Sequence, residues 1–278
     1  MTAIRPNRRK RRWGHRPDGF TLVELLIVVA IIALLLSILL PSLQGARAQA
    51  QTTVCAANIR QLALANIAYA SEQQGRYCAG AAGIKLDNLH RWHGVRPTAD
   101  VPFDPQYGPL VDYLTAAEGI RACPAFRGYL LKGAAAFERG CGGFGYNQAY
   151  LGREMRRRPG ASFQVVTDGF GVLSERVRRP AETLMFADAA FVATADGVSE
   201  YSFAEPRFHP EYLQYHVRMD PSIHFRHRGR VNIAWCDGHV DRQRLTFTYK
   251  SGVYLGNPAD YRIGWFGPDD DNGLFDLE

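Results

Sequence analysis

The chain has 278 residues, 46% of them hydrophobic and 22% charged, which excludes disorder over the whole length and leaves room for one or two domains with a sizeable core. The formal charge of +6 is confined to residues 1–19, where Arg5, Arg8, Arg9, Lys10, Arg11, Arg12 and Arg16 stand against Asp18. The rest of the chain is formally neutral, so no nucleic-acid partner is indicated, and the basic run from Arg153 to Arg158 reads as a solvated face.

From Phe20 to Leu40 the sequence is apolar except for Thr21, Glu24 and Ser37. As a helix it measures about 31 Å, enough to cross the hydrocarbon core of a membrane. The basic flank stays cytoplasmic, which puts everything after Leu40 on the far side. The expected location is a single pass through the cytoplasmic (inner) membrane, N-terminus in, with a head exported to the periplasm or cell surface. Three processing routes compete for this segment. A secretory signal would be cut at Ala46-Arg47-Ala48 or Ala48-Gln49-Ala50, but its apolar region is normally shorter. An uncleaved signal anchor is the second route. The third must account for Glu24, since a carboxylate inside a membrane helix is retained for a specific partner.

Gly19-Phe20-Thr21-Leu22-Val23-Glu24, with a basic leader before it and the long apolar run after it, resembles the cleavage and methylation motif of type IV prepilins and type II secretion pseudopilins. The resemblance implies that a prepilin peptidase cuts between Gly19 and Phe20 and methylates the new Phe20 amine. It casts Glu24 as the assembly residue that pairs with the Phe amine of a neighbouring subunit, in keeping with the need of a buried charge for an opposite partner. It also makes Pro41 a helix kink; the plainer reading of Pro41 is a bend at the membrane exit.

Beyond Pro41 the sequence is rich in Ala, Gln and Leu, which favour helix. Cys55, Ile59, Leu62, Asn66 and Tyr69 share one helical face. That stripe is expected to pack on the head, with Gly75 as terminator. Residues 76 to 160 read as loops and short elements, including a short helix around Leu110 to Glu118. Strand character appears at Phe163 to Thr167, Thr183 to Ala187 and Arg230 to Cys236; the first and third precede Asp168-Gly169 and Asp237-Gly238, both read as tight hairpin turns. The fold class is therefore α+β: a long N-terminal transmembrane and stalk helix packed on an antiparallel sheet. The expected divisions are a leader at 1–19, a transmembrane or polymerisation helix at 20–41, a stalk at 42–75 and a head at 76–278.

His227, nine residues, then Asp237-Gly238 resembles the H-X9-DG motif near the C-terminus of one large group of prepilin-like proteins. Cys55 to Leu64, Cys123-Pro124 and Pro180 to Asp188 are similar in style to that group. The motif implies membership without a chemistry. A two-residue turn at Asp237-Gly238 would pair Cys236 with His239 and Trp235 with Val240. Val231, Ile233 and Trp235 then face the core, and His239 points away from Trp235.

Five cysteines occur without a CxxC pair, which argues against a zinc ribbon or a thioredoxin-type site. In an exported head Cys123 and Cys141 are the first candidates for a disulfide. No cofactor is indicated. Asp269, Asp270 and Asp271 are weak calcium candidates, because their spacing does not fit a calcium loop.

The leading expectation is a structural pilin-like or pseudopilin subunit, not an enzyme, whose partners are the prepilin peptidase, other pilin subunits and membrane lipid. The alternative is a membrane-targeted exported enzyme or metal-binding module that uses the histidines around Asp237.

Overall fold

The structure, a computed structural model, describes residues 21–114, 122–126, 138–158, 162–194, 197–250, 252 and 256–278. Gly19, Phe20 and Glu118, each named above, lie outside these residues. The chain divides into two compact units, Met1–Ala46 and Arg47–Glu278.

The described part of the first unit is helical. α1 runs from Leu22 to Glu72 and continues without a break through Pro41, whose ring removes the N–H that would have bonded the Ser37 carbonyl. Thr21 and Glu24 start the helix with a capping box. The Thr21 N–H and hydroxyl donate to the Glu24 carboxylate at 2.9 and 2.7 Å, and the Glu24 N–H returns a bond to the Thr21 hydroxyl at 3.2 Å. Among the described residues α1 is the helix long and apolar enough to cross a membrane, with a mean hydropathy of 3.1 over its most apolar window. Leu22, Leu26, Ile32, Leu36, Leu40 and Leu43 are all exposed.

In the second unit, α1 contributes Cys55, Ile59, Leu62 and Asn66, all buried, with Tyr69 half-buried at the edge. The expected stripe is therefore part of the core. The compact unit begins at Arg47 rather than at residue 76, because this helical face has no other way to leave water. α1 ends where Gln74 and Gly75 take positive φ (53° and 81°) and the Gly75 N–H bonds the Ala70 carbonyl at 2.8 Å, the six-to-one closure of a Schellman motif.

Short strands follow: β1 (His90–Arg91), β2 (Gly94–Val95), β3 (Phe144–Tyr146), β4 (Glu154–Arg157), β5 (Phe163–Thr167), β6 (Leu184–Asp188), β7 (Phe191–Thr194), β8 (Gly197–Ser199), β9 (Ile223–His224), β10 (Arg230–Trp235), β11 (Val240–Arg244) and β12 (Ile263–Gly264). A four-stranded sheet in the order β11-β10-β6-β3 is antiparallel throughout, and β1-β2, β4-β5, β7-β8 and β9-β12 form antiparallel pairs. The architecture is α+β, as expected. Of the helix expected around Leu110 to Glu118, the described part is a 3₁₀ turn at Val111–Tyr113, and residues 115–118 lie outside the described residues.

The two central strands, β6 and β10, are buried on both faces. Phe186, Tyr146, Ala234 and Cys236 join Ile59 and Leu62 on the helix side. Leu184, Ala187, Val231, Ile233 and Trp235 pack with Trp265 and Phe275 on the other. The single core face expected for β10 is thus corrected: the C-terminal segment covers the second face.

Candidate functional site

Four buried side chains from four separate segments meet beside α1. Cys55 comes from the helix, Cys123 from the Cys-Pro turn, Asp188 from the end of β6 and His227 from the turn before β10. All are no more than 2% exposed. One donor atom from each lies within 4.8 Å of all the others. Cys55 Sγ donates to Asp188 Oδ1 at 3.0 Å, His227 Nε2 lies 3.2 Å from Asp188 Oδ2, and Cys123 Sγ lies 3.6 Å from His227 Nε2.

Local backbone sets these positions. The Cys123 N–H bonds the Gly142 carbonyl at 2.9 Å, and the Phe126 N–H closes the Cys-Pro turn on the Cys123 carbonyl at 3.0 Å. His227 opens a tight turn through Arg228 and Gly229, both at positive φ (56° and 77°), closed by reciprocal bonds between His227 and Arg230. Positive φ at both central residues is the signature of a type I′ turn.

Neighbouring groups complete the site. The Asn232 N–H donates to Asp188 Oδ2 at 2.9 Å, and the Arg226 guanidinium lies 3.4 Å from Oδ1. The Thr52 hydroxyl donates its proton to the Ala48 carbonyl at 2.8 Å, so at its 3.3 Å contact with His227 Nδ1 it accepts. Nδ1 therefore carries a proton, and Nε2 is the atom aimed at the carboxylate and thiol.

Burial pushes the Cys55 thiol up, whereas the hydrogen bond from Cys55 and the positive charge of Arg226 hold Cys123 down. Burial would raise Asp188, but Arg226 and His227 outweigh it and hold the carboxyl at about 2. Burial would lower His227, but Asp188 and Cys123 raise it to about 9. The centre is thus two acidic groups facing two cations.

The two ends of the H-X9-DG motif do not converge. His227 precedes β10 and joins the buried cluster; Asp237 and Gly238 follow β10 and build the β10–β11 turn. Ala234 pairs with Val240, the Trp235 N–H bonds the His239 carbonyl at 3.0 Å, and the Gly238 N–H bonds the Trp235 carbonyl at 2.9 Å. The loop therefore has three residues rather than two, with Gly238 at φ 86° in the left-handed position. Trp235 and His239 stack at 5.8 Å, against the expectation that they point apart. Asp237 Oδ1 accepts from the His239 N–H at 3.0 Å and lies 2.6 Å from Nδ1, a turn-capping role. Asp168-Gly169, by contrast, is no hairpin turn: β5 pairs back with β4.

Cys123 and Cys141 are both free, so the disulfide expected between them is absent; Cys123 turns to Asp188 and His227 instead. In the acidic segment, Asp270 is gripped by Arg218 and Arg207, and Asp271 accepts from the Gly273 N–H at 2.9 Å. These aspartates take arginine and backbone partners, and among the described residues the metal-ligand grouping is the one at Cys55. Sequence reasoning missed the convergence, although Cys55, Cys123 and Asp188 lie in the fragments singled out beside the His227 motif.

The family described as the prokaryotic N-terminal methylation motif matches residues 15–40. The chain is 59% identical over 39 residues to the type IV wide pilus major component PilA4 of Thermus thermophilus, covering 14% of this chain and 30% of that protein. It is 38% identical over 68 residues to the type II secretion system core protein G of Pseudomonas aeruginosa, covering 22% and 48%. The chain thus spans less than half the length of these curated relatives. No solved structure matches it. What this chain has in common with prepilin-type proteins is the N-terminal methylation motif at residues 15–40, inside which the apolar helix α1 begins.

Proposed function

We propose that the chain is a pilin-like or pseudopilin subunit, cut between Gly19 and Phe20 by a prepilin peptidase and assembled through α1 into a filament of a type IV pilus or type II secretion system. The observation that carries this reading is the methylation motif running directly into a helix whose apolar residues from Leu22 to Leu43 are exposed. Such a surface needs lipid before assembly and neighbouring helices after it. Anchoring in the cytoplasmic membrane with the head exported follows from the basic leader. Membership of the H-X9-DG group belongs to the same proposal. The alternative, a membrane-targeted exported enzyme or metal-binding module using the histidines around Asp237, would have to work with His227 and His239 at opposite ends of β10.

Mass spectrometry of the mature N-terminus tests the proposal in cells containing a prepilin peptidase. N-methylated Phe20 is expected. A chain starting near Gln51, or one retaining its leader, would overturn it.

A further inference from the structure

The geometry points to a closed zinc site made by Cys55, Cys123, Asp188 and His227, one that fastens the head-embedded part of α1 to the sheet. Two thiols, an imidazole and a carboxylate select zinc-class metals over calcium or magnesium. Around a tetrahedral zinc the donor atoms of such a set stand roughly 3.3–3.8 Å apart. Three of the contacts here are 3.0, 3.2 and 3.6 Å, the first two to different oxygens of Asp188, and one donor atom from each residue lies within 4.8 Å of all the others, so an ion fits once the side chains close by up to about 1 Å.

The surrounding groups fit a metal as well. Thr52 holds the proton on Nδ1, which leaves Nε2 as the ligating nitrogen. Asn232 orients the Asp188 carboxylate from behind, as outer partners of ligands do. Zinc with two thiolates and one carboxylate carries one negative charge, and the buried Arg226 at 3.4 Å from Asp188 balances it. Loading displaces the thiol protons and any proton on Nε2, so binding strengthens as pH rises. With four protein ligands and almost no exposure, the site has no open position for a substrate and is structural. It ties together α1, the Cys-Pro turn, β6 and the turn before β10, and it does not depend on how the N-terminus is processed.

The test is elemental analysis of the full chain purified in detergent without chelator. About one zinc per chain is expected, retained in His239→Ala and lost in His227→Ala and Cys123→Ser. If those variants fail to fold, the wild type is stripped, reloaded with cobalt and read by absorption, where thiolate-to-cobalt charge-transfer bands are expected. Wild-type protein without zinc that takes up no cobalt overturns the proposal. So does a Cys55–Cys123 disulfide in the unreduced protein, or zinc lost in His239→Ala but kept in His227→Ala.

Discussion

Arg91 and Glu138 form an ion pair with side chains only 1% and 2% exposed. The guanidinium donates to both carboxylate oxygens at 2.9 to 3.1 Å, and the Ser202 hydroxyl adds a bond at 2.6 Å. Burial opposes the charge on Glu138, but His93, Arg91 and Ser202 together hold its carboxyl below the ordinary 4.5. A depressed carboxyl contributes stability that is present above pH 4.5 and disappears as pH falls through the lower folded value. Glu138→Ala takes the carboxylate away from a buried guanidinium and is expected to cost about 3–5 kcal/mol. Denaturant unfolding near neutral pH checks the magnitude. The gap between variant and wild type should narrow once the pH drops below 4.5; a constant gap would mean the carboxylate charge is not the cause. Nothing in the spacing of Arg91 and Glu138 announces this pair, because strand β1 and a distant turn supply it.

The helix stripe and the motif turn are elements of opposite legibility. A repeat of three and four residues from Cys55 to Tyr69 needs only helical geometry to put its members on one face, and the structure buries that face. Leu62→Ala should therefore cost about 2–5 kcal/mol by opening a cavity, measured as a fall in unfolding midpoint without loss of helicity. The turn after β10 was visible as Asp-Gly, but its length was not. Whether two or three residues close a hairpin depends on how the flanking strands register, and here β10 also shifts register against β6 between Ala234 and Trp235. Gly238 sits at φ 86°, and a Cβ there would come within 3.2 Å of Leu64 Cδ2 on α1. Gly238→Ala should lose more than about 1 kcal/mol, whereas an unchanged midpoint would show that the turn tolerates a right-handed residue.

For the assembled protein, the proposal rests on the exposed apolar length of α1 and on Glu24. In the subunit alone, Glu24 is engaged by Thr21 at the helix start. Glu24→Ala is expected to leave cleavage after Gly19 intact while filament incorporation drops sharply, measured by immunoblot of the sheared filament fraction. Normal incorporation of that variant would remove Glu24 from assembly.

The apolar length of α1, the charge of residues 1–19 and the buried face of α1 were all readable from the chain alone. Each depends on properties of one continuous segment: apolar length against membrane thickness, net charge over nineteen residues, and periodicity on a helix. The meeting of Cys55, Cys123, Asp188 and His227 had no such local rule. Their segments are far apart in the chain, and only the packing of α1 against β6 and β10 brings thiol, carboxylate and imidazole within bonding range. Tertiary structure likewise gave Asp270 to Arg218 and Arg207 and left Cys141 without Cys123. A charged or thiol side chain takes the partner that folding places beside it, and sequence order does not contain that neighbour.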